Sequence, residues 1–274
     1  MAKIISVEPR EKYHLIKFAA ESDREPWGTL EAKVWNSEPD LIKKLKLNSS
    51  VNCVLTSTKY GEVINDVEII KEGRLGLSDK QKNDAYVGLR NRLENIYCDE
   101  REPEKIRQMA KEIEKLIINN NWAFINAPAA KTHHHNYIGG LIQHTEEVVI
   151  DVPCYNPLAV MGAILHDFGK IYEYKIDTET GIVEYNTDFR DKLGLTKESK
   201  IYPHILWAYN WCIERGFKEL AHIVGSHHGT VEHGSIFKPA TPEAHLLYIA
   251  DYKSAHLGAL TVDELPEEIT VENL

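Results

Sequence analysis

The sequence predicts two domains of different class, a small all-β barrel followed by a helical domain. The chain has 274 residues, which is more than one modest domain needs. The hydrophobic periodicity changes from alternating to helical near residue 73. Twelve of the 13 histidines lie after residue 130, and the first 75 residues are neutral while the rest carries the net charge of −10. The two halves are therefore expected to have different functions.

Composition excludes several classes of protein. Hydrophobic residues make up 43% and charged residues 27% of the chain, which is unlike a disordered sequence. No apolar run has the ~20 residues of a membrane helix, and the first residues lack the apolar core of a signal peptide. The four cysteines lie far apart, as expected of reduced thiols in a cytoplasmic protein. The acidic balance argues against a surface coated for duplex DNA.

Residues 1–72 read as an OB-type barrel. Short runs alternate or are rich in β-branched residues, among them YHLIKFAA, TLEAKVW, VNCVLTSTKY and VINDVEII. Between them, the segment PDLIKKLKL predicts one helix. About five strands with one helix before the fourth is the pattern of that barrel. A fragment of an unrelated β-sandwich is the alternative.

The remaining chain reads as helical. Residues 73–130 predict a linker and the first helices of the second domain, with Ser78 as an N-cap and Pro103 before the second helix. Residues 131–258 continue with apolar helical spacing, interrupted by YEYKIDTETGIVEYN, which alternates around a Thr-Gly turn and predicts a β-hairpin. Residues 259–274 predict an acidic tail.

Residues of metal-ligand type recur along the helical half. His166 and Asp167, in AILHDFGK, end an apolar segment, where burial is costly without a satisfying partner. Alone, this pair is better explained as a hydrogen-bonded core pair. Further such residues follow among apolar neighbours: His144, His204, His227, His228 and Asp251. Together they could hold two divalent ions sharing Asp167, which is an arrangement suited to phosphate esters.

Three motifs make the sequence resemble a known family. FINAPAAKTHHHNYIGGLIQHTEEV, GAILHDFGKI and SHHGTVEHGS closely resemble the HD-domain half of the YhaM-type 3′–5′ exoribonucleases, and GTLEAKVWN resembles a strand of their OB-fold domain. The resemblance covers nearly the whole chain. It implies an N-terminal OB-fold that binds nucleic acid and a C-terminal all-α, metal-dependent HD domain.

The resemblance also implies roles for particular residues. His144, His166, Asp167 and Asp251 match the basic metal set, while His204, His227 and His228 match the additional ligands of binuclear members. Asp167 and Lys170 match catalytic positions, the lysine being placed to stabilise charge on the phosphate. His134 and His135 match positions near the site entrance, where they would contact substrate.

Two departures from the family pattern concern the metal-bearing half. The last motif usually reads D-x-x-D-A, whereas this chain has Ser254 in place of the second aspartate. Residues 181–204 are also longer and less typical than the corresponding family segment. These departures leave open the effect of Ser254, the match of His204, and whether His227, His228 or both bind metal.

The leading hypothesis is a metal-dependent 3′–5′ exonuclease that hydrolyses single-stranded RNA, or DNA, with a metal-bound hydroxide. Manganese is the first expectation for two ions, with iron, cobalt, nickel or zinc as alternatives. The barrel would bind the strand by stacking and charge, through Trp27, Trp35, Tyr60, Lys43 and Lys44, with Lys46 and Lys59 adding charge. Trp35 in the core and KKLK as a solvated helix face are equally good explanations.

Two other functions stay open, as does self-association. A phosphohydrolase of nucleotides or cyclic nucleotides would suit the acidic second half, since a long polyanion prefers a basic track. The other is an inactive nucleic-acid-binding protein with a structural metal.

Overall fold

The computed structural model describes residues 2–22, 25–46, 49–71, 75–131, 134–178 and 181–256. The chain divides into two compact units. Among the described residues, those of the first unit lie within Met1–Gly76 and Ile176–Val183, and those of the second lie within Leu77–Lys175 and residues 184–256. The predicted acidic tail, 259–274, lies outside the described residues.

The first unit is built from five strands and one short helix. Their bounds are β1 Ala2–Pro9, β2 Tyr13–Ser22, β3 Glu25–Trp35, α1 Pro39–Lys44, β4 Ser50–Thr58 and β5 Gly61–Lys71. The strands are ordered β1-β2-β3-β5-β4, and β1 also pairs with β4 through Ala2 and Lys3, which closes the sheet into a barrel. All neighbours are antiparallel except β3 and β5, which pair in parallel at Lys33 and Val63. The helix precedes the fourth strand, as predicted.

Alternation along the strands fills the barrel. Ile16 and Phe18 on β2, and Ala32 and Val34 on β3, are buried in one apolar cluster, so every second side chain points inward. The hairpin between β4 and β5 turns at Gly61, whose φ of 101° favours glycine, and this turn carries Tyr60 at the surface. The inward-facing side chains of the strands thus form an apolar core, while Tyr60 lies outside it.

The second unit is helical. Its elements are α2 Asp79–Cys98, α3 Glu104–Asn119, α4 Asn121–Asn126, α5 Gly140–Asp151, α6 Pro157–Leu165, α7 Lys170–Glu173, α8 Thr187–Lys192, α9 Pro203–Glu214, α10 Lys218–Gly225, a 3₁₀ turn Val231–His233 and α11 Pro242–His256. Ser78 caps α2, as the sequence predicts, and its side chain and that of Gln81 form a capping box. The predicted hairpin is present as β6 Tyr174–Ile176 and β7 Val183–Tyr185. None of the helices in the described ranges is both long and apolar enough to cross a membrane.

Two helices end just before histidines of the sequence motifs, although the sequence predicts helical spacing through both segments. α6 ends at Leu165, so His166 and Asp167 lie in the turn after it, and α10 ends at Gly225, before His227. In both turns a histidine Nδ1 donates back to a carbonyl three residues earlier, His166 to Ala163 and His227 to a valine of α10. Since the last carbonyls of a helix have no partner inside it, these bonds complete the helix ends and fix both rings.

Candidate metal centre

The apolar helix α6 ends at two buried polar side chains. His166 is fully buried and Asp167 is 1% exposed. The turn that follows passes through Gly169, where a Cβ would lie 2.7 Å from the Cα of His204. A residue without a side chain therefore lets the start of α9 approach Asp167 closely.

One group of ligand-type atoms joins α5, the end of α6 and α11. This first ligand group consists of His144, His166 and Asp251, whose ligand atoms all lie within 4.8 Å of one another. The Nε2 of His144 is 3.2 Å from the Nε2 of His166 and 3.1 Å from the Oδ1 of Asp251. The Oδ2 of Asp167 lies 3.2 Å from the first of these nitrogens and 3.4 Å from the second. Ligands about 2.0–2.2 Å from a common ion have similar mutual spacings.

A second group lies on the other side of the same aspartate. This second ligand group consists of Asp167, His204, His227 and His228. The Oδ1 of Asp167 is 3.4 Å from the Nε2 of His204 and 3.6 Å from the Nε2 of His227. The rings of His227 and His228 are in contact, with centroids 4.4 Å apart. Each oxygen of Asp167 thus faces a different group, which makes this carboxylate the point shared by both.

All five histidines in the two groups are oriented in the same way. In each, Nδ1 bonds to an oxygen outside the groups, and that leaves Nε2 facing inward. The pairs are His166 with Ala163 O, His227 with Val224 O, His228 with His233 O, His204 with a Glu173 carboxylate and His144 with the Ser254 hydroxyl. A carbonyl or carboxylate oxygen only accepts a hydrogen bond, so Nδ1 carries the hydrogen in the first four.

The carboxylates of Asp167 and Asp251 favour a positive charge at the site. Burial lowers the pKa of His144, but hydrogen bonds and charge from Asp167 and Asp251 outweigh it and raise this pKa to about 9. Burial raises the pKa of both aspartates, yet their neighbours outweigh it and hold both pKa values low: Lys170 and His166 act on Asp167, and His144 acts on Asp251. The centre is therefore a place where a proton or a metal cation is stabilised.

Buried atoms without partners test whether a metal fits. Among the described residues, Oδ1 of Asp167, Nε2 of His204 and Nε2 of His227 are buried and have no hydrogen-bond partner. Leaving a buried polar atom unsatisfied costs about 1–3 kcal/mol. One cation in the second ligand group would satisfy all three, and imidazole with carboxylate suits Mn, Fe, Co, Ni or Zn. The residues present fit a divalent metal.

Lys170 lies inside the centre. Its ammonium is 2.5 Å from Oδ2 of Asp167, and the residue is only 6% exposed. The family resemblance implies that this lysine stabilises charge on a phosphate, and the structure pairs it with the shared aspartate. This pair fixes the oxygen that faces the first ligand group.

His134 and His135 lie beside the first ligand group, but they differ in burial. Their ring centroids are 5.3 and 5.5 Å from that of His144. His134 is partly exposed, whereas His135 is 1% exposed, which differs from the entrance position expected for both. His135 is buried because Gly140 allows close approach: a Cβ there would lie 1.9 Å from the carbonyl oxygen of His135. The φ of 54° at His135 is a strained value for a non-glycine residue.

Two glutamates that sequence reasoning missed hold the histidines. Glu173 Oε2 accepts from both the backbone N and the Nδ1 of His204, at 3.2 and 2.7 Å. Glu147 accepts from Nε2 of His135 at 3.2 Å and from the hydroxyl of Ser254 at 2.6 Å. Their only sequence signal is spacing, three residues after Lys170 and three after His144.

The barrel carries a separate aromatic surface. This barrel aromatic patch consists of Tyr13, Trp35 and Tyr60, with Lys33 and Lys59 beside them. The ring of Trp35 lies 6.0 Å from Tyr13 and 6.5 Å from Tyr60, edge to face. The ammonium of Lys33 lies 5.0 Å from the Tyr13 ring, and that of Lys59 lies 4.9 Å from the Tyr60 ring. Trp35 is partly exposed and outside the barrel core, so the surface interpretation of this tryptophan is the better one.

The remaining strand-binding candidates are less informative. Lys43 and Lys44 are exposed in the last turn of α1, where a solvated face and a strand contact are equally compatible with their position. Trp27 belongs to β3, but its side chain lies outside the described part of the chain.

Comparison with known proteins assigns the metal-bearing part. Residues 142–256 match the family model of the HD domain, and this range contains both ligand groups and Lys170. The chain therefore carries an HD domain, and HD domains bind divalent metals and imply a metal-dependent phosphohydrolase. The match includes neither the barrel nor His134 and His135. No solved structure matches the chain.

Proposed function

We propose that the protein is a metal-dependent 3′–5′ exonuclease acting on single-stranded RNA, with single-stranded DNA as the alternative polymer. The observation that carries the proposal is the carboxylate of Asp167, which faces one ligand group with each oxygen. An arrangement of this kind suits a pair of divalent ions, and the phosphodiester of a nucleic acid is a substrate that such a pair can act on.

The protein's own residues would prepare the site in defined ways. His144, His166 and Asp251 would hold one ion, and His204, His227 and His228 a second, with Asp167 between them. When bound, divalent ions lower the pKa of water and stabilise the negative charge that develops on a phosphate ester. Lys170 would keep Asp167 ionised and oriented through their buried pair. His134, partly exposed beside His144, would meet the substrate.

The barrel aromatic patch supports a strand as the substrate. Rings that are reachable from solvent stack on bases of any sequence, and nearby lysines attract the phosphate backbone. Tyr60 is 58% exposed at the tip of a hairpin, which is where a base could reach its face. The closed strand order β1-β2-β3-β5-β4, with one helix before the fourth strand, supports an OB-type barrel, which is a fold that binds oligonucleotides.

The test is digestion of an oligonucleotide labelled at its 5′ end, in the presence of Mn²⁺. A ladder of shortened, labelled strands is expected, and a phosphorothioate at the last 3′ linkage should block it. His166→Ala should abolish the ladder, whereas His245→Ala, which changes an exposed histidine on α11 outside both ligand groups, should leave it intact. Strand binding without any cleavage by the metal-loaded protein would refute the proposal and favour an inactive binding protein.

A phosphohydrolase of nucleotides or cyclic nucleotides is the second candidate. It is favoured by the charge distribution, because the residues after 75 carry the whole net charge of −10. A negative surface repels a long polyanion more than a mononucleotide. A panel of nucleotides run beside the labelled strand decides between the two, since release of phosphate or a mononucleotide from the panel alone would favour this candidate.

A further inference from the structure

We propose that Glu147 and Ser254 act together as the positioning anion of His144, with the hydroxyl of Ser254 relaying the carboxylate of Glu147 to the imidazole Nδ1. This inference rests on the proposed metal site and adds two residues to it. The family resemblance leads one to expect an aspartate where Ser254 stands. The structure supplies the missing carboxylate from another helix.

The relay consists of two short hydrogen bonds at a buried point. Ser254, 6% exposed, donates from Oγ to Oε2 of Glu147 at 2.6 Å, and its oxygen lies 2.9 Å from Nδ1 of the fully buried His144. Glu147 also accepts from His135 and from Gln143, at 3.2 and 2.9 Å. Burial raises the pKa of Glu147, but these hydrogen bonds outweigh it and keep the carboxyl ionised. The carboxylate thus takes hydrogen bonds on both oxygens.

The two helices that form the relay also form the first ligand group. His144 and Glu147 are three residues apart on α5, and Asp251 and Ser254 are three residues apart on α11. Residues at this spacing share one helix face. Each helix therefore contributes one ligand candidate and one relay residue to the same contact.

A hydroxyl alone would not fix the ring of His144. Four of the five inward-facing histidines bond to a carbonyl or carboxylate, which only accepts. A hydroxyl can also donate, and Ser254 donating to Nδ1 would force the hydrogen onto Nε2, where it would block a metal. Because the hydroxyl of Ser254 donates its hydrogen to Glu147, the oxygen of Ser254 must accept a hydrogen bond from Nδ1 of His144. Glu147 thereby selects the tautomer in which Nε2 is free to bind.

The test measures metal affinity, using Co²⁺ as the probe with the full-length protein. Binding is followed by the visible absorbance of the ion and by competition with a chelator. Glu147→Gln keeps the shape but removes the charge, and Ser254→Ala removes the relay. Both should weaken Co²⁺ binding by about 10–100-fold, the usual effect of removing a partner of a ligating histidine. Glu146→Gln is the matched control, since Glu146 neighbours Glu147 on α5 and should leave Co²⁺ affinity unchanged.

A double variant moves the carboxylate from residue 147 to residue 254. Ser254→Asp together with Glu147→Gln places the charge directly on Nδ1 of His144, so affinity should return to within a few-fold of wild type. This recovery is a result that simple loss of packing would not give. Circular dichroism of the metal-free variants reports whether each one folds.

The outcomes separate the inference from the proposed function, because no substrate is involved. Wild-type protein that fails to bind Co²⁺ would refute the metal site itself. Wild-type binding with unchanged affinity in Glu147→Gln or Ser254→Ala would overturn the relay alone, as would failure of the folded double variant to recover affinity.

Discussion

Replacing Asp167 by asparagine tests whether its carboxylate is shared by the two ligand groups. Its oxygens face both ligand groups, so Asp167→Asn should lose Mn²⁺ at both. His227→Ala changes the second group only. For the wild type we expect about two equivalents of Mn²⁺ per chain, for His227→Ala about one, and for Asp167→Asn almost none. The assay is elemental analysis of protein dialysed against Mn²⁺ and then against metal-free buffer.

The same variant should destabilise the metal-free protein. Lys170 is buried against Asp167, and removing one partner of a buried ion pair costs about 3–5 kcal/mol. The charge of Glu173 also acts on this lysine, so we expect the lower end, about 3 kcal/mol. For a unit of this size, 1 kcal/mol shifts Tm by about 2–4 °C, which gives a fall of about 6–12 °C by calorimetry.

A double variant controls for misfolding. Asp167→Asn with Lys170→Met removes both charges, so Tm should recover most of its loss while Mn²⁺ content stays low. The reasoning about a shared carboxylate is refuted if Asp167→Asn retains about two equivalents of Mn²⁺ at wild-type affinity. The reasoning about the ion pair is refuted if the double variant is as unstable as the single one.

Three further predictions follow from the structure. Gly169→Ala would place a Cβ 2.7 Å from the Cα of His204, so this variant should lower both the Tm and the Mn²⁺ affinity. Gly88→Ala is the control and should lower neither, because its Cβ would meet one side-chain atom at 3.7 Å, an ordinary contact distance. Burial raises the pKa of Cys53 to about 11, so the thiolate fraction of Cys53 is small at pH 8 and increases as the pH rises towards 11. Mass spectrometry should therefore find a thiol reagent on the exposed Cys98 well before it finds one on Cys53. Equal labelling rates would contradict that protection. Chelation should lower Tm by about 5–11 °C in a scan made with Mn²⁺ at about 100 times its Kd, because such binding contributes about 2.7 kcal/mol; an unchanged Tm would contradict metal binding to the folded state.

Local pattern determined the elements of this protein and the chemical type of its site. Alternation places Ile16 and Phe18 inside the barrel, and Ser78 with Gln81 begins α2, because both effects depend on neighbours a few residues away. The recurrence of histidine and aspartate among apolar residues likewise predicts a metal centre from side-chain chemistry alone. These features need no knowledge of which segments meet.

Only the tertiary structure decided how those side chains are divided and held. His144 meets Ser254 across 110 residues, and His204 meets Glu173 across 31. The sequence does not specify which oxygen of Asp167 faces which histidines, nor that Tyr13 joins Trp35 on the barrel surface. Such contacts depend on the register of strands and the crossing of helices, which packing of the whole unit fixes. The sequence therefore determined which groups are available, including an Asp167 that two ions could share and a serine at position 254. Packing determined which oxygen of Asp167 faces each ligand group and that Glu147 meets Ser254.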